Sequence, residues 1–196
     1  MQERSSVKPL AGPLLGQGAE KESAGRAPRK PFLLLIGAIT IPIIVLDQAT
    51  KLFVKAHMAL YQSIALVPNY LDITYTLNPG AAFSMLAQAP PWVRRAFLLS
   101  MSCAAIIVLI VLIARSERVT INSVAFALIL AGATGNLIDR ALRGGRVIDF
   151  VRVHYYDLNY PVFNVADSAI TIGVALIILA ALFGDEAPPT PTNRSS

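Results

Sequence analysis

The chain has 196 residues and a formal net charge of +5, with 55% hydrophobic and only 15% charged residues. A soluble domain usually has about a quarter of its residues charged, so this composition and a mean hydropathy of +0.57 favour a membrane protein. The basic residues form no stripe and few aromatic side chains lie among them, so the positive charge does not indicate a nucleic-acid partner.

The N-terminal part combines a polar tail with the first apolar segment. Met1–Lys30 is rich in Gly, Ala, Pro and Ser and has no apolar period, which predicts a disordered tail. The next segment begins at Pro31 and predicts a first spanning helix, with a kink near Pro42. Towards its end, Asp47 and Lys51 are four residues apart and share one helical face. This spacing is as consistent with an ion pair at the membrane interface as with a role in a polar site.

Three more segments are apolar enough to span. Each is close to the roughly 20 residues that cross a hydrocarbon core about 30 Å thick. They predict helices at about Trp92–Ala114, Ile121–Ala141 and Asn164–Phe183. The predicted fold class is therefore an all-α membrane domain with four transmembrane helices over residues 31–184, followed by a disordered tail at 185–196. The alternative is a compact soluble domain with buried core helices, which the long uncharged runs disfavour.

Two segments between the helices have the pattern of strands. Ser63–Tyr75 is rich in Ile, Val, Leu and Tyr and is interrupted by Pro68 and Asn69, which predicts short strands joined by a turn. Arg146–Tyr155 alternates in polarity and places Asp149 on an otherwise apolar face. We therefore expect a small β element beside the helices.

Polar side chains gather around the connection between the third and fourth helices: Asn136, Asp139, Arg140, Asp149, Asn164 and Asp167. Ionisable side chains in or beside a bilayer are unfavourable unless they are paired or wetted, so each of them is a functional candidate. We expect Asp149 and Asp167 to form a two-carboxylate site at the membrane surface. Taken singly, Asp167 is also explained as a helix-capping residue and Asp149 as an interfacial charge.

Two carboxylates without a stronger nucleophile indicate acid–base catalysis on water. One carboxylate stays ionised and removes a proton from water, while its protonated partner polarises the scissile carbonyl. Asn164 is the expected N-cap of the fourth helix, which puts Asp167 at the third helical position, where the helix dipole favours negative charge. We therefore hypothesise that Asp167 is ionised and Asp149 protonated.

Other chemistries fit the sequence less well. Asp139, Asp149 and Asp167 could hold Mg²⁺ through oxygen ligands, but the array used by membrane phosphatidyl-alcohol transferases is only partly matched. The H-E-x-x-H pattern of zinc proteases, a G-x-S-x-G-like serine element and the G-x-G-D pattern of presenilin-like proteases are absent. A small transporter or scaffold, whose aspartates relay protons, is the non-enzymatic alternative.

Four sequence blocks carry a resemblance to a known family. They are DQATK at 47–51, NPGAAF at 78–83, GATGNLIDR at 132–140 leading through GRVIDF at 145–150, and FNVAD at 163–167. In this order, over about residues 32–183, the chain resembles lipoprotein signal peptidase, also called signal peptidase II, a bacterial inner-membrane aspartyl protease. Pro79 within the second block and the long N-terminal tail depart from the pattern.

The resemblance implies a reaction and a set of roles. The reaction is removal of the signal peptide from prolipoproteins, just before the cysteine that carries a diacylglyceryl group. Asp149 and Asp167 would be the catalytic dyad. The substrate site and its support would come from further residues, namely Asn78, Gly132, Asn136, Arg140 and Asn164 for binding, and Asp47, Lys51 and Asp139 for support. It further implies a monomer among membrane lipids, without metal or cofactor, whose strands form a β-cradle around the peptide.

Charge distribution predicts the orientation in the membrane. The basic cluster at 26–30 and the short basic turn at 115–120 favour the cytoplasmic side. Because the number of spans is even, both termini are then cytoplasmic. The ends of the first and third helices and the start of the fourth meet on the outer side, so we expect the active site near the periplasmic face.

Overall fold

The computed structural model describes residues 29–80 and 89–183. The described elements, in chain order, are α1 (Arg29–Leu35), a π-helical turn (Ile36–Thr40), α2 (Ile41–His57), β1 (Ser63–Val67), β2 (Leu71–Asn78), α3 (Pro91–Ala114), α4 (Ile121–Leu142), β3 (Val147–Tyr155), β4 (Leu158–Asn159) and α5 (Val165–Phe183). The first helix begins at Arg29, two residues before the predicted start. Three predicted parts lie outside the described residues: positions 1–28 of the N-terminal tail, positions 81–83 of the second block, and the whole C-terminal tail.

Four helical segments are long and apolar enough to cross a membrane, as the sequence predicts. They are Lys30–His57, Pro91–Ala114, Ile121–Leu142 and Val165–Phe183. In the most apolar window of the third segment, 44% of the residues are buried, against 17% in each of the others. Helix α4 is therefore central, and the other helices present most of their apolar surface outward, where lipid can cover it. The predicted all-α membrane fold with a small β element is confirmed.

The proline in the first span is accommodated by a change of helix type. Pro42 is the second residue of α2, which begins directly after the π-helical turn Ile36–Thr40. Proline has no N–H to donate to the preceding turn, and a wider turn at this point absorbs the missing hydrogen bond. The Thr40 hydroxyl donates to the Ala127 carbonyl, at 3.1 Å, which joins this irregular turn to α4.

Glycines allow α4 and α5 to approach closely. A Cβ atom on Gly132 would collide with the Ala166 carbonyl oxygen, and one on Gly173 would lie 2.8 Å from the Ala125 carbonyl oxygen. At two points of the crossing, the backbones therefore leave no space for a side chain. This approach brings the polar end of α4 against the beginning of α5.

The four strands form one antiparallel sheet in the order β1-β2-β3-β4. The turn between β1 and β2 falls at the predicted Pro68-Asn69, where Asn69 adopts a φ of 68°. Strand β2 continues to Asn78, three residues beyond the predicted end at Tyr75. The prediction ended this strand too early because the following Asn-Pro-Gly reads as a turn, whereas Asn78 pairs with Val147 of β3. Strand β4 was not predicted, because it has only two residues.

The sheet is joined directly to α5. Phe163 forms a β-bridge with Val151, and its carbonyl oxygen accepts from the main-chain N–H groups of Phe150 and Val151, at 3.0 and 2.8 Å. Asn164 and α5 follow immediately. Because Asp149 precedes these paired residues on β3, the bridge brings the third strand and the start of α5 to the same place.

Candidate active site

Asp149 is held on β3, directly opposite Thr76 of β2. Its side chain is buried, and both of its oxygens accept hydrogen bonds from asparagine amides. Asn78 donates to Oδ2 at 2.9 Å, and Asn164 donates to Oδ1 at 2.7 Å. The sheet and the entrance to α5 therefore each contribute one donor to this carboxylate.

Asp167 occupies the first turn of α5 and forms a reciprocal cap with Asn164. The Asn164 side-chain oxygen accepts from the Asp167 main-chain N–H at 2.9 Å, and Asp167 Oδ2 accepts from the Asn164 main-chain N–H at 3.3 Å. The prediction that Asn164 caps this helix is confirmed. The Oδ1 atom of Asp167 accepts from the Asn136 amide at 2.7 Å.

Two asparagines thus connect the two carboxylates. Asn164 donates to Asp149 while its own oxygen is bound by the Asp167 main chain. The Asn136 oxygen accepts from the Lys51 ammonium at 3.2 Å, so its amide nitrogen is directed to Asp167. An ammonium group can only donate and an ionised carboxylate can only accept, so the orientation of the Asn136 amide is determined by its neighbours.

The environment of Asp149 disfavours its ionised form. Burial raises the pKa of its carboxyl from the ordinary value of 3.8 to about 6, and the negative charge of Asp167 acts in the same direction. The hydrogen bonds from Asn78 and Asn164 and the positive charge of Lys51 oppose this shift without cancelling it. Asp149 therefore retains a proton at a pH at which an exposed aspartate has lost it.

A buried ionic cluster supports the site from the side of α2. Lys51 lies 2.9 Å from Asp47 Oδ2 and 3.2 Å from Asp139 Oδ2, and all three side chains are inaccessible to solvent. Their burial rules out the interfacial, snorkelling ion pair that the sequence left open for Asp47 and Lys51. Asp47 Oδ1 also accepts from the Ala166 main-chain N–H at 3.0 Å, which holds the first turn of α5 against α2.

Asp139 is saturated by donors. Oδ2 accepts from the Ile148 main-chain N–H at 2.9 Å as well as from Lys51, and Oδ1 accepts from Gln48 at 3.0 Å and from the Arg143 guanidinium. A carboxylate bound in this way offers no free lone pair to a magnesium ion. Among residues 29–80 and 89–183, no three His, Cys, Asp or Glu side chains are grouped so as to hold a metal ion.

Arg140 lies within electrostatic range of both carboxylates. Its Nε atom is buried and has no hydrogen-bond partner in the described part of the chain. An open groove of about 260 Å³ borders Asp167, and its other lining residues are Tyr160, Phe163, Ser168, Thr171 and Ile172. Asp167 is therefore reachable along this groove, whereas Asp149 does not line it.

The structure gathers most of the predicted site residues in one place. Asp149, Asp167, Asn78, Asn136 and Asn164 form the connected centre, with Asp47, Lys51 and Asp139 behind it. Gly132 lies against Ala166 at the helix crossing. Sequence reasoning missed Gln48 and Arg143, which both contact Asp139. Their signals were present, because Gln48 lies inside the first block and Arg143 follows Asp139 by four residues.

Comparison with known proteins identifies the family. The family model described as signal peptidase (SPase) II matches residues 39–183 of this chain. The chain belongs to the signal peptidase II family. It is accordingly an aspartic-type protease, which decides between the protease and the transporter or scaffold considered above. With its four apolar helices, it is a multi-pass protein of the bacterial inner membrane.

Individual relatives in the signal peptidase II family agree over most of the chain. The lipoprotein signal peptidase of Pseudomonas putida is 42% identical over 162 residues, which is 80% of this chain and 90% of the relative. That of Geobacter sulfurreducens is 44% identical over 149 residues, covering 76% and 91%. A bacterial membrane enzyme solved by the in meso method at 1.9 Å resolution superposes with a TM-score of 0.68 and 34% identity, covering 79% of this chain and 96% of the solved one.

Proposed function

We propose that this protein is an intramembrane endopeptidase that removes the signal peptide from diacylglyceryl-modified prolipoproteins, with Asp149 and Asp167 as its catalytic dyad. The observation that carries the proposal is the pair of acidic residues from β3 and α5 that Asn164 joins by hydrogen bonds to both. The relatives named lipoprotein signal peptidase support the substrate class.

The two carboxylates have different roles in the proposed reaction. Asp167 is ionised and removes a proton from the attacking water, whose oxygen bonds to the scissile carbonyl carbon. Asp149 gives its proton to the carbonyl oxygen as that oxygen gains charge. When the tetrahedral intermediate collapses, the C–N bond breaks, Asp167 passes the proton it took from water to the leaving nitrogen, and Asp149 takes back its proton as the carbonyl forms again. The raised pKa of Asp149 supports its role as the acid. The position of Asp167 in the first turn of α5 supports its role as the base.

Residues around the dyad orient the substrate. The buried Nε of Arg140 has no partner among the described residues, and a carbonyl or ester oxygen of the substrate supplies one. Asn78, Asn136 and Asn164 set the orientation of the carboxylates, and Gly132 allows α5 to approach α4. The groove beside Asp167 admits the peptide from the lipid side, because its lining is largely apolar.

The same proposal includes the position in the membrane. Both termini are cytoplasmic and the dyad lies near the periplasmic face, where the lipid anchor holds the scissile bond at the same depth as the carboxylates. The basic turn between α3 and α4 supports this orientation. The enzyme acts as a monomer, because all groups of the proposed mechanism come from one chain.

Purified protein in detergent tests the proposal against two substrates, a diacylglyceryl-modified prolipoprotein and the same precursor without lipid. We expect cleavage of the lipidated precursor only, with loss of about a thousandfold or more in Asp149→Asn and in Asp167→Asn. Asp72→Asn is the matched control, because Asp72 is another buried acid of the same sheet, bonded to Arg152 outside the dyad. Wild-type activity in either of the two dyad variants, or loss of activity on chelation of metal ions, would contradict the mechanism.

A further inference from the structure

Arg143 lies at the C-terminal end of α4 and contacts the buried side of the site. It is the C-cap residue of this helix, and its main-chain N–H donates to the Asp139 carbonyl at 2.7 Å. Its guanidinium forms an ion pair with Asp139 Oδ1, and its side chain is only 14% exposed. Gln48 Oε1 lies 3.5 Å from both terminal nitrogens of the same guanidinium. Among the described residues, no hydrogen bond joins Arg143 to the dyad or to the groove beside Asp167.

Asp139 connects Arg143 to β3, the strand that carries Asp149. While Arg143 and Gln48 occupy Oδ1, Oδ2 faces the Ile148 main-chain N–H, at 2.9 Å, and Lys51. Without the guanidinium, Oδ1 loses its charged donor and keeps only Gln48, so the carboxylate is held less firmly and the direction of Oδ2 is less narrowly set.

Ile148 immediately precedes Asp149, and its peptide groups are bound on both sides. Its N–H is held by Asp139, and its carbonyl oxygen accepts from the Asn164 amide at 3.2 Å. The Ile148 side chain is fully buried. A displacement of this peptide therefore moves the Asp149 carboxyl relative to Asn164.

We propose that Arg143 is a positioning residue for Asp149, acting through Asp139 and the Ile148 main chain; this inference rests on the proposed role of Asp149. The charges agree with it, because Lys51 and Arg143 together balance the buried carboxylates of Asp47 and Asp139. Arg143→Gln leaves one of these negative charges unbalanced and one oxygen of Asp139 without its strongest donor.

Kinetics of three variants on the lipidated precursor test the inference. In Arg143→Gln we expect kcat to fall by about tenfold to a hundredfold with KM changed by less than about twofold, since a misplaced catalytic group slows the chemical step. Arg143→Lys retains a cation four residues after Asp139 and keeps kcat within about threefold. Arg146→Gln is the control, because it removes the same charge from an exposed position of the same turn.

A double-mutant cycle with Asp139→Asn separates action through Asp139 from action elsewhere. If Arg143 acts through Asp139, adding Arg143→Gln to Asp139→Asn lowers kcat by less than about twofold further. Three results would overturn the inference. The double variant would show the product of the two single losses in kcat, or Arg143→Gln would raise KM alone, or it would leave kcat unchanged. If Arg143→Gln does not fold, Arg143→Lys decides, and a loss of more than about tenfold in its kcat overturns it.

Hydrogen exchange gives a result that does not depend on any substrate. The Ile148 amide should exchange at least about fivefold faster in Arg143→Gln than in the wild type and remain unchanged in Arg146→Gln, because only the former loosens its acceptor. Unchanged exchange overturns the inference even if the enzyme is active. An inactive wild type with faster exchange in Arg143→Gln would contradict the proposed function and leave the positioning contact supported.

Discussion

At the scale of single residues, the site is organised by asparagine side-chain amides whose direction is determined by their hydrogen-bonding neighbours. The Lys51 ammonium binds the Asn136 oxygen, and the main chain of Asp167 binds the Asn164 oxygen. Both amide nitrogens must then point to carboxylates, one to Asp167 and one to Asp149. Asparagine is suited to this place because it offers a donor and an acceptor without adding charge to a buried site.

Asn78 carries a prediction about the proton on Asp149. Its amide donates to Asp149 Oδ2 and stabilises the ionised form, so Asn78→Ala should raise the pKa of Asp149 above about 6. Asp149 then stays protonated over a wider pH range. Infrared titration measures this as the midpoint at which the protonated carboxyl band disappears, after assignment of the band by its loss in Asp149→Asn.

Thr76→Val is the matched control for this titration. Thr76 also lies on β2 opposite Asp149, but its hydroxyl donates to the Asp149 main-chain oxygen at 3.2 Å and not to the carboxylate. In Thr76→Val, the midpoint of the Asp149 carboxyl band should therefore remain near that of the wild type. A wild-type midpoint near the ordinary 3.8, or assignment of the band to Asp167, would reverse the proposed roles of the two acids.

At the scale of elements, the beginning of α5 is the part on which the site depends most. The first N–H groups of a helix need acceptors outside it, and here Asp47 accepts from Ala166 while Asn164 accepts from Asp167. The cap, the β-bridge of Phe163 with Val151 and the glycine contacts of α4 all act on this one turn. Its position is therefore specified from three sides.

The crossing of α4 and α5 can be tested with a single methyl group. In Gly132→Ala the new Cβ meets the Ala166 carbonyl, so the helices must separate and Asp167 moves with α5. We expect a loss of about 1–3 kcal/mol in the free energy of unfolding, together with a loss of activity. Thermal unfolding in detergent and the cleavage assay measure the two effects.

Gly37→Ala provides the comparison for this variant. A Cβ at Gly37 has no atom of the described chain within 4 Å. The same substitution should therefore leave activity unchanged and stability equal or slightly higher, by up to about 1 kcal/mol, since alanine favours helix more than glycine does. Equal effects of the two substitutions would show that the crossing tolerates extra volume and that our account of it is wrong.

At the scale of the whole molecule, the fold separates a lipid-facing bundle from a polar centre at one end. Large apolar side chains remain exposed along the outer helices, such as Phe53, Ile107 and Ile178. Most of the buried charged residues, namely Asp47, Lys51, Asp139 and Asp149, instead collect where α2, α4, α5 and the sheet meet. A bilayer favours this division, because apolar surface needs no further cover in lipid, whereas charges there need partners.

Labelling of introduced cysteines tests the predicted orientation. In a Cys103→Ala background, Asp157→Cys at the end of the sheet should react with a membrane-impermeant maleimide added to spheroplasts. Glu117→Cys, in the turn between α3 and α4, should react only after the membrane is permeabilised. Both positions are exposed in the structure, so access depends on the side of the membrane. The reverse pattern would place the site at the cytoplasmic face.

Several properties of this protein followed from the sequence alone. Four apolar runs of sufficient length predicted the spans, because the thickness of the hydrocarbon core and the rise of a helix leave little choice of length. The Pro68-Asn69 turn and the Asn164 cap were recognisable because their effects are local. The order of the four sequence blocks was enough to indicate the family.

Other properties were decided only by the tertiary structure. The sequence could not distinguish an interfacial Asp47–Lys51 pair from a buried one, because burial depends on which helices pack against that face. In the structure, α4 and α5 pack there and supply the partners that make burial possible, namely Asp139, Asn136 and the Ala166 amide. Nor could it pair Asn78 with Asp149, since that contact follows from strand register across 71 residues. Local patterns fix local geometry, whereas the partners of a buried charge come from distant parts of the chain.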